Sequence, residues 1–497
     1  MKARKGKNVY IIGAGLAGLG IASELAEKPT LGKVQALLDD DPAKIGGSFA
    51  GIPIIGPVAA ALKGLTVQPQ DRVIIAVPSA SQAVLQTLHQ LVKATGFASV
   101  HIVPAVAQII EGDVHLAQTR SIDPLDILGR PPAAIGLKDS MDWLRGKRVL
   151  ISGAGGSIGS ELARQMLEAD VERLYLLGHG ENSIYQIDRE LRRLQADGVG
   201  SLCAIVPLIG DLKDRAWLHF VMPRLRVDAV FHAAAYKHVP LMEANPVAVV
   251  ENNVFGTRNL LDASLASRVS RFILISTDKA VQPLCSYGAS KYLSERLVLA
   301  SQSRAKAQDP DSRYCFVRFG NVLGSRGSIL PLFSQQIEAG GPLTVTHPDT
   351  SRFFMTIPEA CSLVLKAGSL ADQAPAFLLD MGQPVLIREL AEQLIRFYGL
   401  EPHKDIAIQY IGLRPGERLH ESLSSPDESL SAGSDRRIQL LHCPPAGFSL
   451  DEVLVQLTPV CFHQPDRPEA YRNRRLLRQI LRRYIPSLEE NHDESEY

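Results

Sequence analysis

The sequence lacks the features that mark several classes of protein. Its 53 Lys and Arg residues balance 53 Asp and Glu residues, which disfavours a nucleic-acid binder because such proteins normally carry a basic excess. The six cysteines are scattered without a CxxC pair, so we expect reduced thiols and neither a disulfide framework nor a metal site. No apolar run approaches the ~18 residues of a membrane span. The basic start, residues 2–7, leads into a strand pattern rather than a signal peptide, and we expect a cytoplasmic protein.

The 497 residues, 45% hydrophobic and 21% charged, suit a globular protein of about three domains at about 150 residues each. A short β-type run over residues 8–12 precedes the motif Gly13-Ala14-Gly15-Leu16-Ala17-Gly18 and a helical pattern, which is the context a GxGxxG motif requires. A second strand, 34–38, ends at Asp39, where an acid would hold a ribose hydroxyl. Gly13, Gly15, Gly18 and Asp39 therefore form a candidate nucleotide loop, although the glycines could also shape only the turn.

A second glycine loop follows the strand pattern of residues 148–151. Gly153, Gly156 and Gly159 are spaced GxxGxxG and open a helix, so backbone amides at the helix start could receive a phosphate. Further strand patterns alternate with helical ones, at residues 173–177, 203–209, 229–232, 272–276 and 315–318. The sequence therefore predicts an α/β protein with two tandem Rossmann-like doubly wound parallel sheets, the second larger than the first.

A candidate catalytic group follows the strand pattern of residues 272–276. Tyr287 and Lys291 are four residues apart and would share one helix face, and Thr277 stands at the end of the strand before them. A nearby ammonium lowers a tyrosine pKa and lets the phenolate remove a proton from an alcohol. A YxxxK pattern alone is usually a solvated helix face, but here a glycine-rich cofactor loop precedes it.

These segments resemble the extended short-chain dehydrogenase/reductases, within the NAD-dependent epimerase/dehydratase superfamily. More narrowly, the chain resembles the bacterial polysaccharide-biosynthesis family of UDP-N-acetylglucosamine 4,6-dehydratases, in its long form. The resemblance rests on residues 153–159, 185–190, 210–211, 232–240, 276–280, 318–325 and 412–417, and on Asp39-Asp40-Asp41-Pro42 in the first domain. It implies four parts: an accessory nucleotide-binding domain (1–110), a linker (111–145), a catalytic domain with a smaller substrate-binding lobe (146–440), and a C-terminal helical extension with an acidic tail (441–497).

The resemblance also implies a reaction for these residues. Tyr287, with Lys291 and Thr277, would deprotonate the 4-hydroxyl of the sugar. Lys279 would then take the C5 proton, and Asp278 would donate a proton to the departing 6-hydroxyl, giving a 4-keto-6-deoxy sugar. The competing interpretation of Asp278 and Lys279 is an ordinary surface ion pair.

Further residues are carried over from the family. The cofactor would contact Tyr287, Lys291, Gly153, Gly156, Ser157, Ile158, Gly159, Asp211, Ala233, Lys237 and Asn253. The UDP-sugar would contact Lys237, Asn321, Arg352, Arg414 and Glu417, where the arginine fork suits diphosphate oxygens. For Arg414 and Glu417 a purely structural salt bridge remains an alternative.

The chain departs from its long relatives in three respects. Many of them have methionine where this chain has Tyr287, which leaves retention or inversion at C5 open. The strand pattern ending at residues 176–178 has a glycine where an acid for an NAD ribose is often found, and no arginine replaces it to bind a 2′-phosphate, so NAD or NADP stays open with a slight preference for NADP. The usual transmembrane helices are absent from this sequence. If a membrane segment is missing, the protein would act at the inner face of the cell membrane.

Homo-oligomerisation is expected from the family alone. Two other functions stay open. A UDP-sugar 4-epimerase would use the same Thr277, Tyr287 and Lys291, but it needs no acid–base pair for water loss. A non-catalytic cofactor-binding regulator would need none of the three together.

Overall fold

The computed structural model describes residues 8–27, 32–97, 99–103, 120–121, 141–398 and 400–490. These residues form two compact units. The first comprises the described residues up to position 121 with Ile329–Leu343 and Glu389–Ile408, and the second comprises residues 141–328, Thr344–Arg388 and the remainder from Gln409. Most of the predicted linker, 111–145, lies outside the described residues, and the bounds of the four predicted parts stay predictions.

The first unit is built on a seven-stranded sheet. Its strands are β1 (Asn8–Ile12), β2 (Lys33–Leu38), β3 (Ser48–Phe49), β4 (Ile52–Ile55), β5 (Arg72–Ile75), β6 (Ser99–Ile102) and β7 (Arg120–Ser121), with helices α1 (Leu16–Glu27), α2 (Val58–Lys63) and α3 (Gln82–Ala94). The strand order is β3-β4-β2-β1-β5-β6-β7. The central five strands are parallel, and β3 and β7 run antiparallel to their neighbours.

Alternation along β1 shows why this sheet is covered on both faces. Val9 and Ile11 lie in one buried cluster with α1, and Tyr10 and Ile12 lie in another with residues of α2 and α3. Because successive strand side chains point to opposite faces, a strand that is apolar at every position requires a cover on each side. The predicted doubly wound sheet is confirmed.

The second unit begins with regular strand–helix alternation. In chain order it contains β8 (Arg148–Ser152), α4 (Ser157–Leu167), β9 (Arg173–Gly178), α5 (Glu181–Ala196), β10 (Ala204–Ile209), α6 (Arg215–Leu225), β11 (Ala229–His232), α7 (Val239–Glu243), α8 (Pro246–Val250), α9 (Gly256–Ala266), β12 (Arg271–Ile275), α10 (Ser286–Gln308) and β13 (Arg313–Arg318). Between α8 and α9 the chain makes a π-helical turn, Glu251–Phe255.

Shorter elements follow in the sequence. They are β14 (Asn321–Leu323), α11 (Ile329–Glu338), β15 (Leu343–Val345), β16 (Ser351–Arg352), β17 (Phe354–Thr356), α12 (Ile357–Ser369), β18 (Ala376–Leu379), β19 (Val385–Leu386), α13 (Ile387–Phe397), β20 (Ile408–Tyr410), β21 (Ser429–Ala432), β22 (Ile438–His442), α14 (Leu450–Cys461) and α15 (Arg474–Tyr484). Of these, β18, β22 and β21 extend the main sheet, while β14–β17 and β16–β19 form small separate pairs.

The order of the nine-stranded main sheet positions the site. It runs β10-β9-β8-β11-β12-β13-β18-β22-β21, parallel through β18 and antiparallel beyond. Successive strands are added outward from β8 to β10 on one side and from β11 to β13 on the other, so the strand order reverses between β8 and β11. In open α/β sheets the crevice at such a switch point, beyond the carboxyl ends of the strands, is where ligands bind.

The C-terminal helix packs on its own unit. Leu477, Ile480 and Leu481 of α15 are buried in the main cluster of this unit, alongside residues of α14. Helix α15 thus covers an apolar face of the protein itself. All six cysteines are free thiols, and among the residues that the structure describes no helix is long and apolar enough to cross a bilayer.

Candidate active site

The glycine loop after β8 lies at the switch point. Gly153 has φ +72°, and a Cβ there would come within 2.6 Å of the backbone nitrogen of Ala234, in the loop after β11. A Cβ on Gly159 would collide with the Gly153 carbonyl oxygen, so only glycine lets α4 start this close to the loop. The N-cap of α4 is Gly156, which leaves the helix start without a side-chain cap. Such an uncapped helix start between two loops suits a pyrophosphate group.

Asn253, in the π-helical turn, fixes the loop after β11. Its Oδ1 accepts the Tyr236 N–H at 2.9 Å, and its Nδ2 donates to the Tyr236 carbonyl at 3.0 Å and to Ser290 Oγ at 2.9 Å. The Ala233 N–H donates to the Ser152 carbonyl at 3.0 Å. The amide of Asn253 is therefore engaged with protein groups, which makes it a support for the predicted cofactor crevice.

Two other predicted binding residues have local partners. Lys237 Nζ lies 3.4 Å from Ser325 Oγ, so it borders the segment after β14. Asp211 follows the edge strand β10 and accepts the Lys213 N–H at 2.9 Å. Their contacts with cofactor or sugar stay predictions.

Thr277, Tyr287 and Lys291 come together at the carboxyl end of β12. The Tyr287 hydroxyl lies near the Thr277 side chain, and Lys291, one turn further along α10, donates from Nζ to the Ile275 carbonyl at 2.6 Å. Both Tyr287 and Lys291 are buried. The sequence prediction that these three residues form one group is therefore consistent with the geometry.

Burial dominates the protonation of this group. It raises the pKa of Tyr287 to about 12, against the lowering effects of the Lys279 ammonium and the Thr277 side chain. It lowers the pKa of Lys291 to about 8, although the Glu295 carboxylate opposes this shift. Sequence reasoning assigned the lowering of the tyrosine pKa to Lys291, whereas in the structure Lys279 is the cation that lowers it.

Asp278 and Lys279 form an ion pair in which the carboxylate is buried and the Lys279 side chain is partly buried. Asp278 is fully buried, its Oδ1 accepts Thr277 Oγ1 at 2.9 Å and Lys279 Nζ at 3.0 Å, and its Oδ2 has no hydrogen-bond partner. Burial opposes charge on Lys279, but the carboxylates of Asp278 and Glu421 outweigh it and raise the Lys279 pKa above its ordinary value. The alternative of a solvated surface ion pair does not describe this arrangement, since a buried carboxylate oxygen without a partner is costly.

The predicted sugar-binding residues differ in the protein groups that they contact. Asn321 contacts the Asp278–Lys279 pair, its Oδ1 accepting a hydrogen bond from Lys279 Nζ at 3.1 Å. Arg352 is buried, and its guanidinium donates to the Ser351, Arg418 and Leu419 carbonyls at 2.7–3.1 Å.

Arg414 and Glu417 form an exposed salt bridge, with Arg414 Nη2 2.5 Å from Glu417 Oε1. This is the structural alternative that the sequence left open. The roles of all four residues toward a sugar nucleotide stay predictions.

The glycine loop of the first unit has a similar construction. Gly13 has φ +104°, and a Cβ on Gly18 would collide with the Gly13 carbonyl, so α1 starts against β1. Asp39 lies at this loop as predicted, but its Oδ2 accepts the Ala14 N–H at 2.7 Å and Lys44 Nζ at 3.3 Å. The carboxylate is thus held by protein donors, and nucleotide binding by Gly13, Gly15, Gly18 and Asp39 stays a prediction.

Sequence reasoning missed two features of the site. Glu421, 4% exposed, lies 3.4 Å from Lys279 Nζ although it belongs to none of the motifs. Arg318, 1% exposed, lies between Glu295 and Glu428, at 2.7 Å from each. Arg318 could have been found from the sequence, because a charged residue at the end of a buried strand requires a counter-charge. Nothing in the sequence indicated the position of Glu421.

The chain matches the family described as "Polysaccharide biosynthesis protein" over residues 149–442. It is 39% identical over 434 residues to the capsular polysaccharide biosynthesis protein CapD of Staphylococcus aureus, covering 85% of this chain and 69% of that protein. It is 33% identical over 291 residues to the UDP-glucose 4-epimerase of Rickettsia prowazekii, covering 58% and 80%. Among solved structures, Pen from Bacillus thuringiensis matches with a TM-score of 0.51 at 33% identity, covering 56% of this chain and 84% of that one.

Fold and site define an extended short-chain dehydrogenase/reductase. Within that superfamily the chain belongs to the polysaccharide biosynthesis protein family, as the motifs suggested. It is a polysaccharide-biosynthesis enzyme of the dehydratase and epimerase type.

Proposed function

We propose that this protein is a nucleotide-sugar 4,6-dehydratase, which converts UDP-N-acetylglucosamine or a related UDP-sugar to a 4-keto-6-deoxy sugar for capsule, O-antigen or glycoprotein glycans. The observation that carries the proposal is the Asp278–Lys279 pair beside Tyr287, with the Asp278 carboxylate buried and its Oδ2 unpartnered. Oxidation at C4 needs only Thr277, Tyr287 and Lys291. Elimination of water also needs an acid and a base, and this pair supplies both.

The crevice suits NAD or NADP. Gly153, Gly156, Ser157, Ile158 and Gly159 would hold the pyrophosphate at the uncapped start of α4. When bound, the nicotinamide supplies oxidation at C4 and, after water has left, the matching reduction at C6, so that it is regenerated in each turnover. Strand β9 ends at Gly178 without an acid for the ribose, which is the reason for a slight preference for NADP.

The proton balance of elimination fits the pair as it stands. At rest the pair holds one proton, on Lys279. Transfer of that proton across the 3.0 Å hydrogen bond to Asp278 gives a neutral amine and a neutral acid. The amine takes the C5 proton, the acid protonates the 6-hydroxyl, the C5–H and C6–O bonds break, and a C5–C6 double bond forms as water leaves.

After this step Lys279 is again an ammonium and Asp278 a carboxylate. Lys279 then holds the proton that C5 needs when C6 is reduced. Tyr287 keeps the proton of the former 4-hydroxyl, and that proton restores the resting pair at the end of the turnover. Lys279 thus serves both directions of proton transfer at C5, and Asp278 serves the departing hydroxyl.

The direct test is incubation of the purified protein with UDP-N-acetylglucosamine and NADP or NAD, followed by proton NMR of the sugar product. A doublet from a new 6-methyl group is expected. An unchanged 6-CH₂OH with inverted C4 would instead establish epimerisation, and absence of turnover with any related UDP-sugar would favour a regulator.

Two variants test the roles within the pair. Asp278→Asn and Lys279→Ala should abolish the 6-methyl product while cofactor binding, measured by NADPH fluorescence, is retained. Lys404→Ala, at an exposed pair with Glu401, is the matched control and should turn over normally. Normal dehydration by both pair variants would refute the assignment.

A further inference from the structure

Glu421 lies beside the acid–base pair without belonging to it. Its side chain is 4% exposed, and its Oε1 lies 3.4 Å from Lys279 Nζ and 3.8 Å from Arg352 Nε. Lys279 is therefore contacted by two carboxylates, one from Asp278 and one from a residue 142 positions further along the chain. A buried carboxylate this close to a candidate catalytic ammonium affects its proton affinity.

The chain around Glu421 is tied down on both sides. Before it, Arg352 donates to the Arg418 and Leu419 carbonyls, and Ser351 donates from its N–H to the Leu419 carbonyl at 3.1 Å. After it, Glu428 pairs with the buried Arg318 at 2.7 Å. These anchors hold the Glu421 carboxylate near Lys279, so the contact is a built feature of the site.

We propose that Glu421 is a positioning residue of the acid–base pair, which holds Lys279 as an ammonium next to Asp278 and sets how readily Lys279 releases its proton. The contact between Glu421 and Lys279 is argued from the geometry alone. The effect of this contact on water elimination rests on the proposed function. Arg352 has a complementary part, because it fixes the backbone of the segment that carries Glu421.

The charges facing Lys279 determine the expected effect. They are the carboxylates of Asp278 and Glu421, the guanidinium of Arg352 and the Tyr287 hydroxyl, with the neutral amide of Asn321 completing the surroundings. Removing the charge of Glu421 leaves one carboxylate opposed by one guanidinium. For unit charges 3.4 Å apart at an effective dielectric constant between about 80 and about 20, the pKa of Lys279 should fall by about one to four units.

The test is the amine reactivity of Lys279 in the full-length protein. Trace acetic anhydride at pH 9 acetylates only neutral amines, and mass spectrometry reports the rate at each lysine. In Glu421→Gln the rate at Lys279 should rise at least about tenfold, since each pKa unit changes the neutral fraction about tenfold. Glu421→Asp, which keeps the charge but withdraws it by one methylene, should give a smaller rise.

Glu172→Gln is the matched control. Glu172 pairs with Arg148 at 2.7 Å, at the start of β8 and therefore at the opposite end of the strand from the site, and its loss should leave Lys279 reactivity unchanged. Lys404, exposed in the same molecules, serves as the internal reference, because a rise at every lysine would indicate unfolding. Equal Lys279 reactivity in wild type and folded Glu421→Gln overturns the inference, and if that variant does not fold, equal reactivity of wild type and Glu421→Asp does so.

A second readout concerns catalysis. The limb of the pH–rate profile for 6-methyl formation that reports Lys279 should move to lower pH in Glu421→Gln, whereas a purely structural loss would scale the rate equally at every pH. Failure of the two ideas can be told apart. If acetylation of Lys279 is unchanged in Glu421→Gln while wild type forms the 6-methyl product, only the role of Glu421 is refuted. If acetylation rises in Glu421→Gln but wild type forms no 6-methyl product, only the dehydratase proposal is refuted.

Discussion

The buried ammonium of Lys291 should destabilise the folded protein at neutral pH. The side chain is 4% exposed, and burial lowers its pKa from 10.5 to about 8. A fall of about 2.5 units corresponds to about 3 kcal/mol of unfavourable free energy for keeping the ammonium in the folded state. Lys291→Met removes the charge but keeps an unbranched side chain. It also leaves the Ile275 carbonyl without its 2.6 Å hydrogen bond, at a cost of about 1 kcal/mol. The variant should therefore be about 2 kcal/mol more stable than wild type at pH 7.

The pH dependence gives the sharper test. Below pH 8 Lys291 is charged in both the folded and the unfolded state, and the full penalty applies. Between pH 8 and 10.5 the unfolded chain binds the proton and the folded chain does not, so wild-type stability rises with pH. The advantage of Lys291→Met should accordingly be nearly lost by pH 10.

Urea unfolding followed by tryptophan fluorescence measures this difference, because Trp143 and Trp217, the two tryptophans of the chain, both lie in the unit that holds Lys291. Lys306→Met, at an exposed position on the same helix α10, is the control and should change little at either pH. The reasoning is refuted if Lys291→Met is less stable than wild type at pH 7, or if its advantage is as large at pH 10 as at pH 7.

Two further predictions concern the cofactor loop and the buried arginine. Gly159→Ala should weaken NADPH or NADH binding at least about tenfold, because the new Cβ collides with the Gly153 carbonyl and displaces the loop; Gly447→Ala, where a Cβ meets nothing within 4 Å, is the control in the same fluorescence titration. Equal affinities would contradict this account of the loop. Arg318→Met should destabilise the second unit by about 3–5 kcal/mol at pH 7, because it strands the buried carboxylates of Glu295 and Glu428. The difference in urea midpoint between this variant and wild type should shrink as the pH falls, because, against the opposing effect of burial, Arg318 lowers the pKa of Glu428 and wild type loses that stabilisation once the carboxylate is protonated; an unchanged difference would point to lost packing instead.

Most of the fold could be predicted from the sequence. The strands expected at residues 8–12, 148–151 and 229–232 agree with β1, β8 and β11 to within one residue. Such strands can be predicted because a buried parallel strand is a short run of apolar residues. The additions β18, β22 and β21 were not predicted. They are short, and β18 joins the main sheet through partners about 60 positions away in the chain. Their burial also gives no uniform signal, since β18 is buried and β21 is exposed.

The candidate site, too, could be predicted from the sequence only in part. Spacing along one helix indicated Tyr287 and Lys291, and chain adjacency indicated Asp278 and Lys279, since groups that are neighbours in sequence stay neighbours in space. The cation that lowers the Tyr287 pKa could not be read in this way, because it depends on how the turn after β12 lies against the start of α10.

The amino-acid sequence by itself determined the two strand–glycine–helix units and the family, and it indicated the candidate catalytic residues. Each of these rests on spacings of a few residues, where the covalent chain fixes the geometry. Only the tertiary structure decided that Asp278 is buried, that Arg352 binds backbone carbonyls, and that Glu421 faces Lys279. Contacts between residues 66 to 142 positions apart follow from which loops meet beyond the carboxyl ends of the strands, and no local pattern encodes that meeting.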